Sequence, residues 1–428
     1  MGYWSIIVQM STIIKALRMA SSSLLMTAIV SSAMATYTNK PVSILLKSNG
    51  EVVVVSHLQS NGTDAISDKA SVMWFSSTGV LTYSRDYNYV IPMAAGLDSQ
   101  DAVYFAGSYQ GNQFFVARRL GSGSSGAWEK TWSGNGGTAT ISDLAVGTQQ
   151  SVLVCGYAWD GTKYDSYARR YPLSGLSPTI ATDSTSYSSK WTDVACDTSH
   201  RIVVAGTEKD SSGVSKAVAY KFDSSGSVTS SLQQGADVHE VELFIDSSNR
   251  YYLSYNYTYD DGGVDREAVC AQKLGTGGFS SAWSTTFDTV FSPPESLQMA
   301  LDPSGNVAIC TTVPGSWQST LTRLDTSGTV EWQTTTAYEV FAMGFNSAGS
   351  LYTVWDAPSS FDSVWDSTGT VTDVGVTTGD SYRKLKNVYI SASASGTAYS
   401  GVYVISEITG GANQGKFLIE TPSWNVIQ

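Results

Sequence analysis

Histidine is scarce in this chain, with His57, His200 and His239 the only three among 428 residues. No HExxH pair can be written, which removes that class of zinc hydrolase. Cysteine is almost as sparse. Cys155, Cys196, Cys270 and Cys310 include no CxxC pair, so thiolate zinc sites of that type have no support. Each falls in an apolar run, where a buried small hydrophobe is the ordinary role; a Cys155–Cys196 disulfide stays open. Charge is thin at 14% of residues, and the net value is −12. That balance keeps a particle soluble, suits an extracellular surface and repels nucleic acid. Helical periodicity over 11 or more residues is absent beyond the N-terminal region. No apolar run is long enough for a transmembrane span.

What the chain does have is repetition. Arg119, Arg170, Lys221, Lys273 and Arg323 each close a short apolar run: FVARRL, SYARRY, AVAYKF, AVCAQKL and STLTRL. Polar turn clusters recur before strand-like runs, as in Asp98-Ser99-Gln100-Asp101 before AVYFAG and Asp302-Pro303-Ser304-Gly305 before NVAICT. Six clear clusters and two weaker ones, at Gly147 and Ser393, span residues 47 to 393, a mean step of about 49 residues. That period matches one four-stranded propeller blade. A second turn class, such as Asp223-Ser224-Ser225-Gly226 and Asp325-Thr326-Ser327-Gly328, separates the last two strands of a unit. Asp and Ser bond back to turn backbone, and Gly or Asn tolerates positive φ. The expectation is an all-β chain forming a single β-propeller of eight four-stranded blades, with seven as the runner-up. Radial stacking leaves only short sheet edges.

LDPSGNVAICTT resembles the secreted bacterial beta-propeller (SBBP) repeat, and CDTSHRIVVAGTEKD with SKAVAYKFDSSGSV is similar to the delta-sixty repeat. The likeness runs from about Val42 to Trp424. It implies the propeller fold and no single activity. LDTSGTVEW resembles a quinoprotein propeller repeat, but its Trp is not found at the same place in the other units.

The first 35 residues read separately. Lys15 and Arg18 precede the apolar Leu24–Val30 run and the small-x-small Ala33-Met34-Ala35, the pattern of a secretory signal peptide. The division expected is 1–35, signal peptide or apolar N-terminal tail, and 36–428, propeller.

A site must break the repeat, so the basic column is assigned to the scaffold. The unrepeated loops carry aromatics beside acids. Tyr87, Trp159, Tyr257, Tyr259 and Trp317 are the candidate ligand contacts, because flat rings stack on sugars and acids accept hydroxyl bonds. Asp260, Asp261 and Asp265 flank a Gly pair and are the weak candidate for Ca²⁺; no other cofactor is expected. Three functions follow. The first is a non-enzymatic secreted or cell-surface propeller for adhesion or ligand binding, with a carbohydrate or protein surface partner. The second is a phage virion structural or tail-associated protein. The third is a secreted glycan-active hydrolase or lyase, which would need two convergent carboxylates.

Overall fold

A computed structural model of the chain describes residues 28–30, 37–60, 68–77, 79–121, 123–134, 137–147, 151–182, 187–276, 278–288, 296–312, 318–336, 339–345, 349–356, 361–376, 383–390, 402–408 and 417–420. Among these residues there are eight four-stranded antiparallel sheets and no helix. Blade one holds Tyr37–Leu46, Val52–Ser60, Lys69–Phe75 and Leu81–Asn88. Blade two starts at Val90, blade three at Ala139, blade four at Ser189 and blade five at Val238. Blades six, seven and eight start at Ser296, Glu339 and Arg383. Chain order is also order from inside to outside. The innermost strands of successive blades touch all the way round, and Arg383–Ile390 closes the ring on Tyr37–Leu46. The repeat therefore forms the expected propeller, with eight blades.

Blade eight differs. Its outer position is filled by Ala28–Val30, which pairs antiparallel with Phe417–Ile419. Three residues of the expected leader thus lie alongside the last sheet, a departure from the expectation that all of 1–35 stand outside the ring.

The turns between first and second strands work as read. The Asp98 Oδ1 accepts the Gln100 and Ala102 amides at 2.8 and 2.9 Å, and Asp197, Asp246 and Asp302 repeat the pattern. The fourth turn residue has positive φ throughout: Gly50, Asp101, His200, Asn249, Gly305 and Gly349. His200 is therefore a turn residue. Neighbouring turns are tied together, since Asp101 accepts the Ser48 amide at 2.9 Å and Asn249 accepts that of Thr198 at 2.8 Å.

The core lies between blades. Blade one presents Val53, Val55, Val72 and Trp74 to Val103, Phe105 and Phe115 of blade two. The same layering recurs with Tyr104, Phe114 and Val116 against Ile141, Val152 and Val154. On the inner strands, residues facing one neighbouring blade alternate with residues facing the other, so both faces are apolar there and the second strands read as VVVV or IVVA; the outer strands are mostly exposed.

The basic column is architectural, with one correction. Lys221 and Arg323 point to the turn aspartates Asp197 and Asp302, at 3.9 and 3.3 Å. In blade two the equivalent residue is Arg118, not Arg119. Arg118 lies 3.6 Å from Asp98 and donates to Tyr104 Oη at 2.8 Å. Arg119 faces the other way and bonds Tyr87 and Glu129. Tryptophan also repeats, contrary to the sequence reading. Trp128, Trp283 and Trp332 stand opposite Arg118, Lys273 and Arg323 on the outer strands. Each covers the glycine of the next blade's outer turn: Gly175, Gly328 and Gly369.

The cysteines are free; Cys155, Cys270 and Cys310 are buried and Cys196 is half-buried. No helix among the described residues is long and apolar enough to cross a membrane.

Candidate functional site

Tight turns occupy one face of the ring. The second-to-third-strand loops and the blade-to-blade connections share the other. On that loop face the unrepeated chemistry collects, and the clearest patch joins blades three and four.

Trp159 ends the second strand of blade three, and Asp160 turns the chain by accepting the Thr162 and Lys163 amides at 2.7 and 2.8 Å. That hairpin returns Tyr164 directly opposite Trp159 in register. Their ring centroids are 4.9 Å apart, and Tyr157 meets Tyr164 edge-on at 5.4 Å. Lys190, on the innermost strand of blade four, places Nζ 4.2 Å from the Tyr164 ring centre and 5.3 Å from that of Tyr157. Trp159 itself is 37% exposed. Burial raises the Tyr157 pKa, with Tyr164 adding to it.

The other candidates separate. Tyr87 is only 5% exposed and sits in the core between blades one and two against Phe105 and Phe115. Its hydroxyl is taken by Arg119, so it offers a ligand no surface and leaves the site. Tyr257 and Tyr259 are half-buried in blade five, in a row with Tyr255 at 5.8 and 6.2 Å. The Tyr259 hydroxyl donates to Asp288 at 2.9 Å, and that bond raises its pKa. This row is a second patch, on a different blade from Trp159. Trp317 lies outside the described residues.

The acidic hairpin does not converge. Asp260 accepts the Gly263 amide at 2.5 Å, and Asp261 pairs with Arg266 at 2.7 Å. Asp265 is exposed opposite Asp260. These carboxylates serve their own turn, and no group of three or more acidic, His or Cys side chains among the described residues has a metal-holding arrangement.

Sequence reasoning missed a set of carboxylates on the innermost strands. Asp143 accepts the Val194 amide of blade four at 3.1 Å, and Asp193 accepts the Leu243 amide of blade five at 2.7 Å. Glu240 accepts the Leu297 amide of blade six at 2.5 Å. Burial, then Asp143 and Glu242, push the Asp193 carboxyl well above its ordinary range. Burial and Asp143 push Glu242 up to about 8. These groups keep some accessible surface, yet protein surrounds them, and that enclosure governs their solvation. Two carboxyls sharing a proton is chemistry that acid–base catalysis can use. The steps of 50 and 49 residues from Asp143 to Asp193 to Glu242 were the available signal.

Two histidines also pair with acids. His57 Nε2 lies 2.8 Å from Asp68. His239 Nε2 is 2.7 Å from Thr258 Oγ1, which donates to Glu267 at 2.5 Å. On the turn face, a cavity of about 660 Å³ opens between blades one and two beside Leu45, Ser48, Leu97 and Asp101. It is lined by repeated scaffold, and its Ser48 and Asp101 already bond each other.

No protein-family model matches the chain, and no curated protein matches it. Solved structures do. One is Sqt1 from Chaetomium thermophilum, 12% identical over 92% of this chain and 99% of that one, with a TM-score of 0.56. Another is the polysaccharide lyase Uly1, 8% identical over 92% of each chain, with a TM-score of 0.50. The β-propeller domain of the Trilobed protease from Pyrococcus furiosus aligns at 8% identity over 90% of this chain and 94% of that one, with a TM-score of 0.45. At these identities the likeness concerns fold alone.

Proposed function

We propose that the protein is a secreted, non-enzymatic propeller of the SBBP and delta-sixty repeat type that binds carbohydrate through its loop face. The observation that carries this reading is the exposed Trp159, braced by Tyr164 and Tyr157 on the face opposite the repeated turns. A flat, immobilised indole gives large contact area at small entropic cost. The signal-like pattern at Leu24–Ala35 supports export. A glycan array probed with the wild type and Trp159→Ala tests the reading. Binding that depends on Trp159 sustains it; absence of any glycan binding removes it. Turnover of a bound glycan would replace it with a hydrolase or lyase, for which the Asp143, Asp193 and Glu242 set is the place to look.

A second reading, a virion structural or tail-associated protein, is favoured by the pairing of Ala28–Val30 with the last blade. A retained N-terminus would keep that strand; cleavage after Ala35 would remove it. The mature N-terminus by mass spectrometry separates the two: Thr36 supports secretion, and an intact leader supports the virion.

A further inference from the structure

We infer that Trp159 and Lys190 together bind a carboxylated sugar, a uronic-acid unit of an acidic polysaccharide. The inference rests on the carbohydrate reading above and names its ligand class.

Trp159 is the only tryptophan among the exposed large hydrophobics of the described residues. Trp74, Trp132, Trp191 and Trp365 are buried, and Trp128, Trp283 and Trp332 each cover a glycine of the next blade. The exposed indole thus has no packing duty of the kind its counterparts perform. Tyr164 fixes its position at 4.9 Å, and the same Tyr164 ring seats the Lys190 ammonium at 4.2 Å. One tyrosine therefore holds both a stacking surface and a positive charge.

That charge is not neutralised by a carboxylate. Lys163 pairs with Asp165 at 2.8 Å and Lys216 approaches Asp210 at 3.7 Å, whereas Lys190 makes no ion pair among the described residues and is held by ring faces alone. Ring faces attract a cation without using its N–H donors in strong hydrogen bonds. In a chain of net charge −12, a fixed ammonium beside an exposed indole favours a ligand that presents an apolar ring face and an anionic group together. A uronic acid has both: axial C–H groups for the indole and a C6 carboxylate for the ammonium. A neutral hexose would use only the first.

The test is calorimetric titration of the full chain with tetragalacturonate and with a neutral tetrasaccharide of the same length, cellotetraose. The wild type is expected to prefer the acidic oligomer, and the preference should shrink as salt is raised. Lys190→Ala should weaken acidic-oligomer binding by about tenfold and neutral-oligomer binding by much less, so that the preference is lost, while Lys190→Arg retains it. Trp159→Ala should weaken both by about tenfold or more, with Trp159→Phe intermediate. Thermal melting of each variant separates lost binding from lost fold. Acidic-oligomer binding untouched by both alanine variants overturns the inference. So does a wild type that binds only the neutral oligomer, which leaves the broader carbohydrate reading standing. Failure on the whole glycan array removes both.

Discussion

Trp283 lies flat against Gly328 of the next blade. A Cβ placed on Gly328 would fall 2.6 Å from two indole carbons, and the indole N–H donates to Thr326 O at 3.0 Å. Gly328 also has φ +85°, where side chains other than glycine's are strained. Gly328→Ala is therefore expected to destabilise the protein by about 2–4 kcal/mol, from overpacking plus backbone strain. In a Trp283→Ala background the clash with the indole is gone and only Thr285 Oγ1, 3.0 Å from the added Cβ, still crowds it, so the added cost of Gly328→Ala should fall to about 1–2 kcal/mol. Urea unfolding of the four proteins measures the difference; equal costs in both backgrounds would refute the contact.

Arg118 and Arg119 are adjacent and should behave unequally. Arg118 is buried beside Asp98 and also donates to Gly126 O at 2.8 Å. Arg118→Ala removes the counter-charge of a carboxylate whose side chain is fully buried and leaves it only its turn amides and the Tyr104 hydroxyl, at a cost of about 3 kcal/mol. Arg119 pairs with a Glu129 that is 42% exposed, so water can take over part of its role. Its removal should cost about 1 kcal/mol. Denaturation midpoints of the two single variants check the order, and a larger loss at Arg119 would contradict the blade alignment.

The ring was legible because a propeller repeats its turn chemistry: Asp98, Asp197, Asp246 and Asp302 do the same job at nearly constant spacing. What escaped the sequence reading is what spacing alone leaves open. Blade two carries two adjacent arginines, 52 and 51 residues before Arg170, and only the pairing of Arg118 with Tyr104, like that of Lys221 with Val203, identifies Arg118 as the member of the column; a one-residue shift reverses the facing of a side chain. Trp128 and Trp283 looked unrelated because blades three and four carry Thr179 and Ser230 at that register position. Tyr87 looked like a loop residue, yet the outer strand of blade one continues to Asn88 and carries it inward. Trp159 was identifiable as a loop-edge aromatic; Lys190 was not, because its partner rings come from another blade.

The thiols should be silent in the folded protein. Burial raises Cys155 far above its ordinary range, Cys310 to about 12 and Cys196 to about 11. Thiolate is the reactive form, so a disulfide reagent at pH 8 should label none of these three rapidly and all four cysteines after unfolding. Cys196, the least buried, should react first as denaturant is added. A peptide map showing Cys155 joined to Cys196 would overturn this arrangement.

The carboxyls of the innermost strands give the fold an unusual pH dependence. A carboxyl whose pKa is higher folded than unfolded holds its proton better in the folded state. Its contribution is complete below the unfolded pKa and is lost as pH rises through the folded value. Glu242 moves from an ordinary 4.5 to about 8, and Asp193 and Glu240 shift upward with it, chiefly through burial. Stability should therefore fall between pH 5 and pH 8, by an amount on the order of a few kcal/mol. The turn aspartates act in the opposite sense. Side-chain hydroxyl bonds from Ser225, Ser327 and Thr368 hold Asp223, Asp325 and Asp366 below their ordinary value, so their contribution is lost as pH drops below about 4. A stability maximum near pH 5 is the expected result. Asp193→Asn and Glu242→Gln replace the protonated carboxyl with a neutral amide, and the carboxamide oxygen introduced by Asp193→Asn would still accept the Leu243 amide. The double variant should match the wild type near pH 5 and exceed it at pH 8, as read by melting temperature across the series. A wild type whose melting temperature is flat from pH 5 to 8, or a variant that is weaker at pH 8, would show that these carboxyls ionise freely in the folded protein.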